Sequence, residues 1–171
     1  MIVLITGGAR SGKSSHAQQL ALQNSSSPVY VATAKVWDTE FEKRVQRHKN
    51  ERGPQWTSYE QQKDLHTLPI AGRTVVIDCV TLWLTNYFTE LKQDVKACLA
   101  AFKAEVDAIA AMEGTFIIVS NELGMGLHGE HAAGRHFTDL QGWANQYVAA
   151  KAQTAIFMVA GLPITLKGVD N

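Results

Sequence analysis

The chain has 171 residues, 46% of them apolar, which suffices for one well-covered core and predicts a single domain over residues 1–171 rather than two. Lys plus Arg and Asp plus Glu stand at 16 each, so no global field favours nucleic acid or an anionic membrane, and any basic site must be local. Cys79 and Cys98 are the only cysteines, no charged-then-apolar leader precedes the first strand, and no apolar run approaches the roughly 18 residues of a membrane span, a combination expected of a soluble cytoplasmic protein with reduced thiols.

The apolar run at 2–6 predicts a first strand, and it leads straight into Gly7, Gly8, Ala9, Arg10, Ser11, Gly12, Lys13 and Ser14. This is a complete G-x-x-x-x-G-K-[ST] phosphate-binding loop in the strand-loop-helix context that makes the pattern specific. The glycines let the backbone turn tightly and aim N–H groups at phosphate oxygens, where the start of the next helix adds positive dipole. Lys13 is then the residue to reach the β/γ-phosphates, and the Ser14 hydroxyl the one to ligate Mg²⁺.

A helix rich in Ala, Gln and Leu is expected at 14–23, with a turn at 25–28. A second strand at 29–32 runs into Thr33 and Ala34, before a polar helix at about 38–50 that Asp38 can cap. On that helix Arg44, Arg47, Lys49 and Arg52 surround His48, with Arg44 and His48 sharing a face. Nearby cations favour the neutral imidazole, which can attack phosphorus and form a phosphoramidate. The same pattern suits a solvated basic face, and spacing does not choose between the two.

Residues 51–73, with two prolines and two glycines, are the least regular stretch and suggest a mobile flap. A strand at 74–77 ends in Asp78, the pattern of an acid that holds Mg²⁺ opposite Ser14, although strand-end aspartates also cap helices. Helices are expected from 81, at 94–112 and at 131–151, with strands at 116–119 and 155–159. Asn121 and Glu122 follow the fourth strand, where function and capping are equally open, and Gly124 and Gly126 make a flexible loop. Near-continuous apolar strands separated by helices predict an α/β, P-loop NTPase-like parallel sheet covered on both faces, with ligands at the carboxyl ends of its strands.

Seven segments carry a resemblance to one family: ITGGARSGKS at 5–14, YVATA at 30–34, RVQRHKNERG at 44–53, DCVTLWLTN at 78–86, SNELGMG at 120–126, GRHFTDLQGWANQ at 134–146 and AGLPITLK at 160–167. Together they resemble the bifunctional adenosylcobinamide kinase and adenosylcobinamide-phosphate guanylyltransferase family. The resemblance implies ATP and GTP as substrates, Mg²⁺ as cofactor, and two reactions of cobalamin biosynthesis and corrinoid salvage. Adenosylcobinamide is first phosphorylated, a step needing Lys13; GMP then passes from GTP through a covalent adduct on His48 to adenosylcobinamide phosphate. It further implies that Lys49, Asn50, Glu51, Arg52 and Glu60 line the guanine nucleotide, with Ala32, Thr33 and Ala34 as the neighbouring wall. A homo-oligomer is implied too, and the apolar residues Leu82, Trp83, Leu84, Tyr87 and Phe88, expected to be exposed on their helix, suggest a contact face. Arg47 and Trp143 depart from the residues common in the family at their positions, and the run Leu127, His128, Gly129, Glu130, His131 lacks the proline and arginine common there; these changes touch the expected corrinoid side more than the phosphate loop. Two rival classes stay open, a small-molecule kinase that makes no use of His48 and a nucleotide-dependent regulatory switch.

Overall fold

Alternation along the strands sets the layers. In β1 (Ile2–Gly7), Ile2 and Leu4 pack into one apolar cluster while Val3 and Ile5 pack into a second, so the strand is buried from both faces. The pattern repeats with Val75 and Ile77 against Val76, and with Phe116 and Ile118 against Ile117 and Val119. A strand covered on both sides reads as a continuous apolar run.

The computed structural model describes residues 1–35, 52–126 and 129–168. After β1 come α1 (Lys13–Asn24), β2 (Val29–Ala32), β3 (Thr57–Glu60), a 3-10 turn (Leu65–Thr67), β4 (Arg73–Asp78), α2 (Val80–Glu90), α3 (Val95–Ala110), β5 (Gly114–Val119), α4 (Ala132–Lys151), β6 (Thr154–Val159) and β7 (Leu162–Lys167). They form one sheet in the order β3-β2-β4-β5-β1-β6-β7, parallel throughout except that β7 runs antiparallel to β6. The α/β architecture is the one the strand and helix periods predict.

Helices α2, α3 and α4 cover one face through Trp83, Leu84, Phe102, Val106, Leu140 and Val148. Trp83 and Phe102 meet edge to face at 5.0 Å between centroids. Helix α1 covers the other face with Ala17 and Ala21. Register matters most for function. Ala32 pairs with Asp78, Asp78 with Val119 and Gly7 with Met158, so β1, β2, β4 and β5 deliver their carboxyl ends to one edge.

Two expectations are corrected. The described part of 51–73 is no flap: β3 pairs with β2, and Leu65 and Ile70 are fully buried. The Leu65 N–H donates to Glu105 Oε2 at 3.0 Å, which moors the irregular chain to α3. The apolar residues of α2 form no open contact face, because Trp83, Leu84 and Tyr87 are buried in the first cluster. Phe88 packs edge to face on Phe137 at 5.3 Å, and Leu82 packs against the second cluster. The chain after β6, for which the sequence predicts no element, folds back as β7, an edge strand. The expected polar helix at 38–50, with Asp38, lies outside the described residues.

Candidate active site at the carboxyl edge of the sheet

The loop after β1 is built on two positions where a side chain would be strained. Gly7 has φ +149°, and a Cβ there would stand 2.4 Å from the Met158 carbonyl oxygen. Gly12 has φ +95° and is the N-cap of α1, with no side-chain capping bond. The first N–H groups of that helix have no partner within it, so they are directed at whatever anion the loop holds. The Gly161 N–H donates to the Ser11 carbonyl at 3.1 Å, tying the loop to the β6–β7 turn. Ala9 and Arg10 are exposed, while Gly8 and Ser14 are half-buried.

Lys13 is buried inside this loop. Its ammonium donates to the Gly8 carbonyl at 2.5 Å and to Ser11 Oγ at 3.4 Å. Burial pushes its pKa below the ordinary lysine value, while the nearby Asp78 and Cys79 pull it back up. The lysine and the strand-end acid therefore sense each other across the edge.

Asp78 Oδ2 accepts a hydrogen bond from the Tyr30 hydroxyl at 2.7 Å. The N-cap of α2 is Cys79, without a side-chain capping bond, so Asp78 is not held as a helix cap. Tyr30 is buried, and its phenol pKa is held well above the ordinary value, by burial first and by the Asp78 charge second. The Arg52 guanidinium lies 3.8 Å over the Tyr30 ring, and its Nε and Nη1 are buried without a hydrogen-bond partner. Sequence reasoning missed this Arg52–Tyr30–Asp78 chain. A period of two along β2 could have found it, since Tyr30 pairs with Val76 and Ala32 with Asp78, placing Tyr30 on the face Asp78 shares.

Around that chain the remaining residues sort themselves by their partners. Thr33 is fully buried: its hydroxyl accepts from the Cys79 N–H at 2.8 Å and donates to the Cys79 carbonyl at 2.7 Å. Its own carbonyl accepts from Asn86 Nδ2 at 2.9 Å, so Thr33 fastens β2 to the start of α2. Ala32 and Ala34 beside it are half-buried. Glu60 ends β3 directly beside Ala32 and is exposed. Burial pushes the Cys79 thiol up to about 12, which favours the protonated, poorly nucleophilic form.

After β5, the Glu122 N–H donates to the Gly7 carbonyl at 2.9 Å, and the Glu122 carboxylate accepts from the Gly124 N–H at 2.6 Å. Asn121 Nδ2 donates to Thr81 Oγ1 at 2.9 Å. His48, Lys49, Asn50 and Glu51, with Arg44 and Arg47, lie outside the described residues. Arg52 alone of that group is placed, beside Tyr30.

A family profile described as cobinamide kinase / cobinamide phosphate guanyltransferase matches residues 3–166. The bifunctional adenosylcobalamin biosynthesis protein CobP of Pseudomonas aeruginosa is 37% identical over 169 residues, covering 96% of each chain. The bifunctional adenosylcobalamin biosynthesis protein CobU of Escherichia coli is 34% identical over 182 residues, covering 98% of this chain and 100% of its own. Among solved structures, the flagellar accessory protein FlaH of Methanocaldococcus jannaschii superposes with a TM-score of 0.50 at 18% identity over 98% of this chain and 78% of that one, a likeness of fold alone. A nucleotide-binding edge of this construction, in a chain matched almost end to end, is that of an enzyme of adenosylcobalamin biosynthesis belonging to the cobinamide kinase / cobinamide phosphate guanyltransferase family.

Proposed function

We propose that this chain uses ATP or GTP to phosphorylate the aminopropanol hydroxyl of adenosylcobinamide, then transfers GMP from GTP through His48 to give adenosylcobinamide-GDP. The single observation that carries this reading is a buried Lys13 inside a glycine loop, close enough to Asp78 to feel its charge, in a chain of this family.

In the first reaction the acceptor hydroxyl oxygen bonds to the γ-phosphorus and the nucleoside diphosphate leaves. Lys13 and the N–H groups at the start of α1 neutralise the charge that builds on the transferring group. In the second, an imidazole nitrogen of His48 bonds to the α-phosphorus of GTP, and the bond to pyrophosphate breaks. A phosphate oxygen of adenosylcobinamide phosphate then displaces the histidine, forming the diphosphate link. Lys49, Asn50, Glu51, Arg52 and Glu60 surround the guanine nucleotide on this reading, with Ala32, Thr33 and Ala34 forming the neighbouring wall. A glutamate is chemically apt there, since guanine offers N1–H and N2–H₂ as adjacent donors.

The residues present fit Mg²⁺, which favours one carboxylate, hard oxygen donors and substrate phosphates; Ser14 and Asp78 would hold it, and it would neutralise phosphate charge. The reading includes one domain, a homo-oligomer and a cytoplasmic location. Among the described residues no helix is long and apolar enough to cross a membrane.

Intact mass after incubation with GTP and Mg²⁺ tests the reading. A gain of one GMP is expected, in an adduct labile to acid and stable to alkali, as a phosphoramidate is. Phosphorylation of adenosylcobinamide without any such gain would leave a kinase alone and sink the second reaction.

A further inference from the structure

Beside the phosphate loop lies a cleft of about 490 Å³, walled by the chain after β5 and by one face of α4. Leu123, Gly124 and Gly126 make the first wall. On the second, Thr138, Gly142 and Gln146 follow one another at intervals of four along the helix, flanked by Asp139 and Trp143. Both walls are fixed to the nucleotide edge. The first begins one residue after Glu122, whose N–H is bonded to the Gly7 carbonyl. Helix α4 is moored by Gln141 Nε2 donating to Ser120 Oγ at 2.9 Å and by Asn145 Nδ2 donating to the Asn121 carbonyl at 3.0 Å.

Gly142 is the telling residue. It lies in the interior of α4, where glycine is a poor helix former, and its φ is not positive. No atom stands within 4 Å of the position its Cβ would take, so packing does not demand a glycine either. What the missing side chain preserves is open space at the middle of the cleft. The apolar side chains lining it are exposed: Trp143 is 46% accessible and Leu123 37%. Arg135, the one cation lining it among the described residues, donates to the Gly129 and Glu130 carbonyls at 3.1 and 2.8 Å and is committed to holding the chain there. With apolar side chains, an amide, a carboxylate and, among the described residues, no uncommitted cation, the cleft is ill suited to a triphosphate and well suited to a broad apolar ligand fringed with neutral amides.

The geometry points to this cleft as the seat of the corrinoid acceptor: one edge of the macrocycle packs on Trp143 and Leu123, and its peripheral carboxamides meet Asp139 and Gln146. The inference rests on the function proposed above. A corrinoid is larger than the cleft, so one edge is seated while the aminopropanol arm passes Leu123 toward the phosphate loop.

Gly142→Leu fills the cleft where nothing else stands, and should leave the melting temperature unlowered. The KM for cobinamide in the kinase reaction is expected to rise about tenfold or more, the usual scale for overfilling an occupied site. The KM for ATP, and GMP attachment from GTP without any corrinoid, should not change. Trp143→Ala, at an exposed position, should raise the same KM and keeps the inference testable if Gly142→Leu does not fold. A folded Gly142→Leu with wild-type KM for cobinamide overturns the assignment, as does a rise confined to ATP, which would make the cleft a nucleotide site. A wild-type chain that does not phosphorylate cobinamide overturns the proposed function and this inference with it; an active wild type with indifferent variants overturns the cleft alone.

Discussion

At the scale of single residues, substitutions at Asp78 and His48 test the proposed metal site and the proposed nucleophile separately. Asp78→Asn keeps an oxygen to accept the Tyr30 hydroxyl, so the fold should survive while the charge facing Lys13 is lost. Mg²⁺ titration of the kinase reaction should shift to higher concentration with lower turnover; a curve matching wild type would remove Asp78 from the metal site. His48→Ala should lose GMP attachment and transfer while retaining phosphorylation of adenosylcobinamide. Removing an active nucleophile has cost about 10⁶-fold in kcat elsewhere, so the two activities should separate cleanly. Robust GMP labelling of that variant would assign the adduct to another residue, Lys49 first. Lys13 adds a pH signature. Burial lowers its pKa in the free protein, whereas bound phosphates raise it, so between the two values binding must take up one proton. Nucleotide affinity should therefore fall as pH rises through that window, by up to about tenfold per pH unit. Calorimetry in buffers of different ionisation enthalpy should show proton uptake inside that window, and none at any pH would remove Lys13 from the phosphate site.

Among the elements, those specified by their own residues are legible in sequence and those specified by a neighbour are not. β1, β2, β4, β5 and β6 announce themselves as β-branched runs because both faces are covered. Helix α3 is equally plain, since Asp94 at its N-cap accepts from the Ala97 N–H at 3.0 Å. Asp94→Ala should cost about 1 kcal/mol, or roughly 2–4 °C in thermal midpoint, with both activities intact. An unshifted midpoint would mean that the exposed cap is replaced by water at no loss. β3, with the sequence TSYE, carries no apolar alternation and exists because β2 offers it backbone partners. β7 contains Pro163, which a central strand would not tolerate but an edge strand does. Helix α2 misleads in the opposite sense: apolar residues all round a helix signal burial between layers, not an open contact face. The candidate site divides in the same way. The phosphate loop is contiguous and therefore readable, whereas Tyr30 and Asp78 meet across 48 positions of sequence and Arg52 joins them only through the fold.

For the whole molecule, the phosphate loop is a junction rather than an appendage. It continues from central β1, accepts a hydrogen bond from Glu122 after β5, and is bonded through Ser11 to the turn between β6 and β7. A ligand held there is coupled to the sheet on both sides of β1, so its binding free energy should appear as stability of the entire fold. At a free concentration 100 times its dissociation constant, a ligand that binds only the folded state adds about 2.7 kcal/mol. For a chain of this size that corresponds to a rise of about 5–11 °C in thermal midpoint. Wild-type protein with GTP and Mg²⁺ should show that rise in one cooperative transition, and Lys13→Ala should show little of it at the same concentration because its affinity is lower. Two separate transitions, with only one moved by nucleotide, would break the single-domain reading. An equal shift in Lys13→Ala would place the triphosphate away from the loop and overturn the site itself.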